Sequence, residues 1–324
     1  MGFFSRKAPV QQNAVNDLIF RELIKRGYSL EGNTRVWNIA DSKLWYLTPS
    51  QAQAFLDLEK SEDYQKNVIQ AEIDLINKNI KEIIQKCGNE PVNIIDLGCG
   101  DGKKALLFIK HLMGKIKFRY CPIDISSYMV QKALETIRSL GIEDVVEFKW
   151  NISDFENLEN ISSLLRQGEF RKNFIMLLGN TLGNFEINEL LYEIRSSMKE
   201  GDVLLIGNGL NTQNAEDILK SYNNKEVDNF LCKIPLQVGL SQESVRLGAR
   251  FRNSRVELYY TILADREIIF QGKRIVFNKG DQIIIAVSYK YEKNDFIAFM
   301  KMYFDDVKIF FTQNNSYALV LCKK

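Results

Sequence analysis

The chain is expected to fold as an α/β protein around a parallel, doubly wound sheet. Three observations lead there. From Pro91 to about Leu210, short apolar runs of strand length alternate with amphipathic runs of helix length. The first strand-like run ends in an acidic residue and three alternate glycines, "NIIDLGCGDGKK" (Asn93 to Lys104). Open parallel sheets hold their ligands at such strand ends. After Leu210 the alternation stops, and β-rich runs broken by glycine turns take over.

Residues 1–90 read as mostly helical. In "YQKNVIQAEIDLINKNIKEIIQK" the residues Ile69, Ile73, Ile76, Ile80 and Ile83 recur at spacings of three and four, one face of an amphipathic helix. "NIIDL" then reads as a short buried strand, "KKALLFIKHLM" as a helix and "KFRYCPID" as a second strand. "SSYMVQKALETIRSL" follows as a helix with Ser126 placed to cap it. "VVEFKW" is a third strand, "NFIMLLG" a fourth, "INELLYEIRSSM" a helix and "DVLLIGNG" a fifth strand. A helix is expected around Ala215–Tyr222. Beyond it, "REIIF" and "KRIVF" flank Gln271-Gly272, a two-residue hairpin signal. "DDVKIFF" and "SYALVLCK" close the chain as a further antiparallel pair.

Composition narrows the function classes. The 324 residues are 45% apolar and 26% charged, ordinary for a globular chain with a large core. The net charge of +2, with both signs mixed throughout, argues against a nucleic-acid-coating surface. The five cysteines are scattered and lack CxxC spacing, so neither a zinc site nor a disulfide framework is expected. Cys99 and Cys121 read as space-filling. One histidine, His111, leaves little material for a His-based triad or metal centre, and no metal is expected. No apolar run approaches the roughly 18 residues of a membrane span. The reading is therefore a cytoplasmic monomer without nucleic-acid or membrane partners.

The glycine turn carries the chemistry. Gly98, Gly100 and Gly102 form G-x-G-x-G. A dinucleotide fingerprint would place its third glycine at position 103, where Lys103 stands. The spacing suits S-adenosylmethionine, which has no pyrophosphate to seat on a helix N-terminus. Asp124, ending the second strand, is placed to accept hydrogen bonds from ribose hydroxyls. Asp154, after the third strand, is placed to meet the adenine amino group, and Asp96 to face the methionyl ammonium. Lys104, Ile125 and Phe155 adjoin these positions and complete the cofactor-binding candidates. A nicotinamide dinucleotide is the alternative. The glycine spacing and the antiparallel chain end count against it.

Beyond this motif the sequence resembles the histidine-specific, S-adenosylmethionine-dependent methyltransferases of the ergothioneine-pathway type, histidine N-alpha-methyltransferases among them. "YCPIDIS" resembles the family's Y-x-P-V-D-[VI]-S, and "MLLGNTLGNF" its L-G-S-T-[IL]-G-N-[FL]. "GDVLLIGNGLN" is similar to G-D-x-L-L-[IL]-G-x-D-L, and "ILKSYNN" to the segment ending A-Y-[DN]-D. "VFNKGDQIIIAVSYKY" resembles F-x-x-G-E-x-I-x-T-E-x-S-x-K-[YF], and "WYLT" resembles Y-Y-L-T. The resemblance implies a Rossmann-like class I methyltransferase sheet with a second, discontinuous substrate domain. The expected divisions are 1–90, an N-terminal helical segment of the substrate domain, and 91–212, the cofactor-binding core. Residues 213–280 would be the inserted part of the substrate domain, and 281–324 the C-terminal antiparallel strands completing the core.

The resemblance also implies substrate contacts. Asn184 matches the asparagine that binds the substrate's backbone end, and Gly179 the glycine opening that loop. Tyr222 matches a tyrosine that helps to hold the substrate carboxylate. Tyr46 matches a tyrosine near the substrate amine, and Tyr28 an earlier tyrosine whose aspartate partner is replaced by Ser29. These two are the catalytic candidates, as acceptors of the amine's hydrogen bond or relays of its proton. Ser288 matches the serine of E-x-S, but Ala286 stands where the family has glutamate. In the histidine enzymes that glutamate and serine grip the imidazole, and a hydroxyl alone lacks the charge-assisted half of the grip. The expected activity is thus N-methylation of an amino acid or related small amine, not histidine by preference. The alternatives are a peptide, protein or other macromolecular amine as acceptor, or a catalytically silent cofactor binder.

Overall fold

The computed structural model describes residues 15–142, 145–146, 152 and 155–324. The chain opens with α1 (Asp17–Arg26), β1 (Tyr28–Glu31) and β2 (Thr34–Asn38). Then come α2 (Pro49–Glu59), the single turn α3 (Glu62–Tyr64), a π-helical segment (Gln65–Ile69) and α4 (Gln70–Cys87). On α4, Ile76, Ile80 and Ile83 are buried as their spacing predicts, while Ile73, and Ile69 at the end of the π-helical segment, are half-buried. The same helix carries Glu72, which is also fully buried.

The central unit contains β3 (Val92–Leu97), α5 (Lys103–Leu112), β4 (Phe118–Ile123) and α6 (Ser127–Arg138). It continues through α7 (Leu158–Leu165), β5 (Lys172–Leu177), α8 (Ile187–Ser197) and β6 (Val203–Gly209). The Ser126 hydroxyl accepts the Met129 N–H at 3.5 Å and caps α6, as expected. The insertion holds α9 (Ala215–Tyr222), α10 (Lys225–Leu231), α11 (Lys233–Leu236), β7 (Val245–Arg252) and β8 (Arg255–Ile262). It ends with β9 (Arg266–Phe270), β10 (Lys273–Phe277) and β11 (Gln282–Tyr289). The chain closes with α12 (Lys293–Tyr303), β12 (Asp306–Phe311) and β13 (Tyr317–Lys323).

The main sheet runs in the order β12-β13-β6-β5-β3-β4. β6, β5, β3 and β4 are parallel, and β13 and β12 add antiparallel. The four parallel strands are buried on both faces, and alternate residues feed two cores. Ile94, Phe174 and Leu205 pack with α4, α5 and α6, whereas Ile95, Ile175 and Leu204 pack with α7, α8 and α12. The chain passes from β3 to β4 on one side and returns to β5 on the other. This reversal opens a crevice beyond the carboxyl ends of β3 and β5. The expected strand "VVEFKW" lies mostly outside the described residues. At its start Val145 bridges Tyr120 in parallel, and Ile152 likewise bridges Asp124.

A second sheet, ordered β1-β2-β11-β8-β7, joins the two ends of the insertion to the N-terminal segment. The β9–β10 hairpin forms at Gln271-Gly272 as expected, with φ of 50° and 74°, the left-handed pair that a two-residue turn uses.

Residues 15–90 are mostly helical as expected, with one element that was not foreseen: "YSLEGNTRVWN" forms the β1–β2 hairpin. Gly32 turns it at φ 61°, β2 pairs in parallel with β11, and buried Trp37 packs into a further core with Ile19, Phe20, Tyr260 and Phe277. The pairing strand lies far along the chain, so the local pattern does not disclose it. The expected boundary at 281 falls elsewhere. β11 belongs to the second sheet, between β2 and β8, and helix α12 precedes the closing strands.

Candidate active site

A cleft of about 1410 Å³ opens beyond the carboxyl ends of β3, β4 and β5 and reaches the second sheet. One small ligand typically occupies roughly 300–1,000 Å³, so there is room for a cofactor and an acceptor together.

The glycine turn forms one wall of the cleft. Past Leu97 the chain bends back, and the Gly98 and Cys99 N–H groups both donate to the Ile123 carbonyl, at 2.8 and 3.2 Å. Gly98, Gly100 and Gly102 all have positive φ, 64°, 52° and 76°. Only the first two line the cleft. A Cβ on Gly100 would meet nothing within 4 Å, so it would project into open space at this wall. Gly102 does not line the cleft, which corrects its assignment as a cofactor contact. It caps α5, and a Cβ there would lie 3.0 Å from the Ala133 Cα, so its glycine lets α5 and α6 approach.

Two strand-end carboxylates face this turn. Asp96, 4% exposed, accepts the Tyr120 hydroxyl at 2.8 Å. Burial pushes its pKa up to about 7, against the Tyr120 hydrogen bond and Lys104, which pull it down. Asp124 accepts the Ser126 N–H at 2.9 Å and the Gly100 N–H at 3.4 Å. Burial raises it to about 6, with those backbone donors opposing. Ile125 and Phe155 line the cleft beside them. Asp154 lies outside the described residues.

Lys104 also lines the cleft, but its ammonium is 2.9 Å from Glu72 Oε2. Desolvation would lower the Lys104 pKa, yet the acids around it, Glu72 first, leave it raised. Glu72 further accepts the Gly179 N–H at 2.9 Å and the Tyr317 hydroxyl at 2.7 Å. It thereby ties the N-terminal segment to the β5 loop and to β13. Gly179 is at φ 76°, where a side chain is strained, and a Cβ there would sit 2.5 Å from Lys104 Nζ and displace that ammonium.

Tyr46, Asn184, Tyr222, Ala286 and Ser288 also line the cleft. Asn184 ends the short turn Thr181–Asn184, which follows Asn180 in a left-handed conformation. The Asn180 side-chain oxygen accepts the Gly209 N–H at 2.7 Å and pins that turn to β6. Tyr46 stands among aromatic rings, 5.3 Å from Phe55 and 5.9 Å from Phe230 between centroids. Burial, with Tyr64 and Asp124 nearby, raises its pKa well above that of a free phenol. Tyr222 Oη and Ser288 Oγ are 2.8 Å apart.

Tyr28 is a correction. It is 48% exposed on the edge strand β1, its ring tilted against Trp37 with centroids 5.2 Å apart and lying under the Arg35 guanidinium at 4.6 Å, and it does not line the cleft. The hairpin points it outward, so a catalytic role does not fit.

Sequence reasoning missed Glu72 and Lys290. Glu72 stands one helical turn before Ile76 and so lies on the apolar stripe of α4, a signal the sequence did carry. Lys290 follows Ala286 and Ser288 at alternate positions, the spacing of one strand face. Among the described residues no cluster of three or more His, Cys, Asp or Glu could hold a metal ion, and no helix is long and apolar enough to cross a membrane.

The site fits S-adenosylmethionine. Asp124 keeps lone pairs for ribose hydroxyls, Asp96 keeps an oxygen for an ammonium, and Gly100 leaves its wall free of a side chain. The protein is an S-adenosylmethionine-dependent methyltransferase with a Rossmann-like α/β core. More narrowly, it belongs to the histidine-specific, SAM-dependent methyltransferase family, whose model matches residues 52–324. No curated protein matches the chain in sequence. Solved structures resemble it distantly. An S-adenosylmethionine-dependent methyltransferase from Clostridium acetobutylicum ATCC 824 is 14% identical, covers 84% of this chain and 98% of its own, and has a TM-score of 0.44. The PH0226 protein from Pyrococcus horikoshii OT3 is also 14% identical, with 82% and 94% covered and a TM-score of 0.44. A DhpI–SAM–HEP complex is 11% identical, with 86% and 99% covered and a TM-score of 0.39.

Proposed function

We propose that the protein methylates the nitrogen of an amino acid or related small amine, and that histidine is not its preferred acceptor. The observation that carries this reading is Ala286. It is 2% exposed, lines the cleft, and shares a strand face with Ser288. An imidazole lodged there would find a hydroxyl but no carboxylate at position 286. A buried polar group left unpaired costs about 1–3 kcal/mol.

Asp96, Gly98, Gly100, Asp124, Ile125 and Phe155 hold the cofactor in this reading. When bound, the cofactor supplies a methyl group already activated by its sulfonium. The protein's task is then alignment, bringing a neutral amine lone pair to about 3 Å from the methyl carbon. Asn184 and Tyr222 anchor the far end of the acceptor. Tyr46, held protonated by its burial, orients the amine by hydrogen bonding as a neutral phenol and is not a tyrosinate base.

The test is incubation of the purified protein with S-adenosylmethionine and pooled amino acids and amines, followed by mass detection of added methyl units. A methylated acceptor other than histidine supports the reading, and preferential methylation of histidine overturns it. A second reading, a peptide or other macromolecular amine, is favoured by Tyr192, a cleft-lining ring that is 62% exposed. Cofactor binding with no small-molecule product would point there or to a silent binder.

A further inference from the structure

Glu59 ends α2 and lines the cleft together with Phe55, one helical turn before it on the same face. The Phe55 ring lies 5.3 Å from Tyr46, 5.4 Å from Phe230 and 6.3 Å from Tyr64 between centroids, and all four rings line the cleft. Glu59 thus stands at the edge of an aromatic pocket. The charged groups that face it are Lys104, Lys103 and Asp101 from the glycine turn and the start of α5, and Glu72 from α4. The Gln65 side chain reaches only the Glu59 backbone carbonyl, at 2.6 Å. Among the described residues no donor hydrogen-bonds to the Glu59 carboxylate, and no cation lies within 4.0 Å of it. The acids around it are engaged: Glu72 pairs with Lys104, Asp101 with Lys103, and Asp96 accepts the Tyr120 hydroxyl. A half-buried carboxylate without a partner is costly, and desolvation accordingly raises the Glu59 pKa, with Lys104 opposing.

Amine methylation leaves a task for such a group. An aliphatic amine has a pKa of about 10, so near neutral pH it arrives as an ammonium whose nitrogen pair is bound to a proton. That proton must leave before the pair can bond to carbon. The nearby phenols cannot take it as tyrosinates. Burial first, with Glu59 among the charges that add to it, raises both Tyr46 and Tyr64 well above a free phenol. Asp96 and Asp124 hold the cofactor in the reading above. Glu59 is the carboxylate left without a partner beside the aromatic pocket, and its raised pKa brings it nearer to the amine in proton affinity.

We infer that Glu59 is the catalytic base, the carboxylate that receives the acceptor's ammonium and removes its proton before methyl transfer. This rests on the small-amine reading above and adds the residue that makes the amine nucleophilic. In the proton step an N–H bond breaks, its electron pair stays on nitrogen, and an O–H bond forms on Glu59. The nitrogen pair then forms the bond to the methyl carbon, and the pair of the breaking carbon–sulfur bond goes to sulfur. The product ammonium thereby takes up the positive charge that the sulfonium loses. Glu59 releases its proton to water through the cleft and is ready for another amine.

The experiment compares wild type, Glu59→Gln and Glu59→Asp from pH 6 to 9.5 on the best acceptor from the methylation screen. Near pH 7, Glu59→Gln is expected to lose about 100-fold in kcat/KM, the usual worth of a general base. The deficit should shrink to under about tenfold at pH 9.5, where solution supplies the neutral amine. Glu59→Asp should recover part of the rate. A Glu59→Gln protein with wild-type rates, or with the same deficit at every pH, overturns the inference. S-adenosylhomocysteine affinity should be unchanged in Glu59→Gln, and a loss of about tenfold or more would overturn the inference by assigning Glu59 to the cofactor's ammonium. A binding arm that needs no turnover distinguishes failure of the small-amine reading. Protein loaded with S-adenosylhomocysteine is titrated calorimetrically with benzylammonium and with benzyl alcohol, its uncharged counterpart. Wild type should prefer the cation by about tenfold, and loss of that preference in Glu59→Gln supports the assignment even if no small amine is methylated. Equal binding of the two probes by wild type overturns it. Circular dichroism melting shows that each variant is folded.

Discussion

Glu72 and Gly207 meet so closely that a Cβ on Gly207 would lie 1.9 Å from Glu72 Oε1. The glycine on β6 is thus the space into which a fully buried carboxylate fits, and Gly179, Tyr317 and Lys104 are its partners. Glu72→Ala strands the Lys104 ammonium and orphans two donors, and breaking such a buried pair costs roughly 3–5 kcal/mol. Gly207→Ala alone is expected to be comparably damaging by displacing Glu72. The two changes compete for one space, so in a double-mutant cycle their sum overshoots the double variant by about 1 kcal/mol or more. Urea denaturation of the four proteins measures this, and simple additivity would refute the shared-space account.

Two of the three turn glycines with positive φ, Gly102 and Gly100, should fail differently. Gly102→Ala adds a contact of 3.0 Å with the Ala133 backbone to an unfavourable φ. A stability loss of about 2–3 kcal/mol is expected, with cofactor affinity nearly unchanged in the folded fraction. Gly100→Ala meets no protein atom within 4 Å and should cost only about 1 kcal/mol of stability. Its methyl group enters the cofactor's side of the turn, so affinity should fall at least roughly tenfold. Denaturation curves with and without S-adenosylmethionine separate the two effects.

Part of this was legible in the sequence. The parallel core showed because strands buried on both faces and amphipathic helices have different periods, and because Gly98 and Gly100 must be glycine wherever the turn lies. The β1–β2 hairpin was hidden because its main partner, β11, comes almost at the other end of the chain. Glu72 was hidden because one acid in a helix ordinarily reads as solvated, and its partners Lys104, Gly179 and Tyr317 are brought to it only by the fold. Tyr28 failed for the converse reason. A tyrosine in a matching segment says nothing about which face of a hairpin it occupies.

Cofactor binding should depend on pH through Asp96 and Asp124. Burial holds these acids at about 7 and about 6. Because the folded values are raised, burial favours the neutral forms. Their stability contribution is present below the ordinary carboxylate range and is lost as pH rises through 6 and 7. The cofactor's ribose hydroxyls and ammonium need the ionised forms, so binding below pH 7 must expel protons. Affinity is expected to tighten from pH 5.5 to 8, by up to about tenfold per unit for each group below its pKa. Calorimetry in buffers of different ionisation enthalpy reads the proton release directly. A flat profile would remove both carboxylates from cofactor recognition.

Restoring the absent carboxylate tests the acceptor pocket from the other side. Ala286 is nearly inaccessible and borders the cleft, so a glutamate there must direct its charge into the acceptor space. Ala286→Glu would place an anion on the face that Ser288 and Lys290 occupy, where it changes the charge of the pocket and offers an imidazole a second partner beside the Ser288 hydroxyl. Turnover of the native acceptor should fall. Methylation of histidine should rise relative to it by roughly 10- to 100-fold, the worth of one charge-assisted hydrogen bond. The new buried charge also costs stability, so melting must be followed alongside the rates. A variant that melts like wild type and leaves the ratio of histidine to native acceptor unmoved would show that position 286 does not select the acceptor.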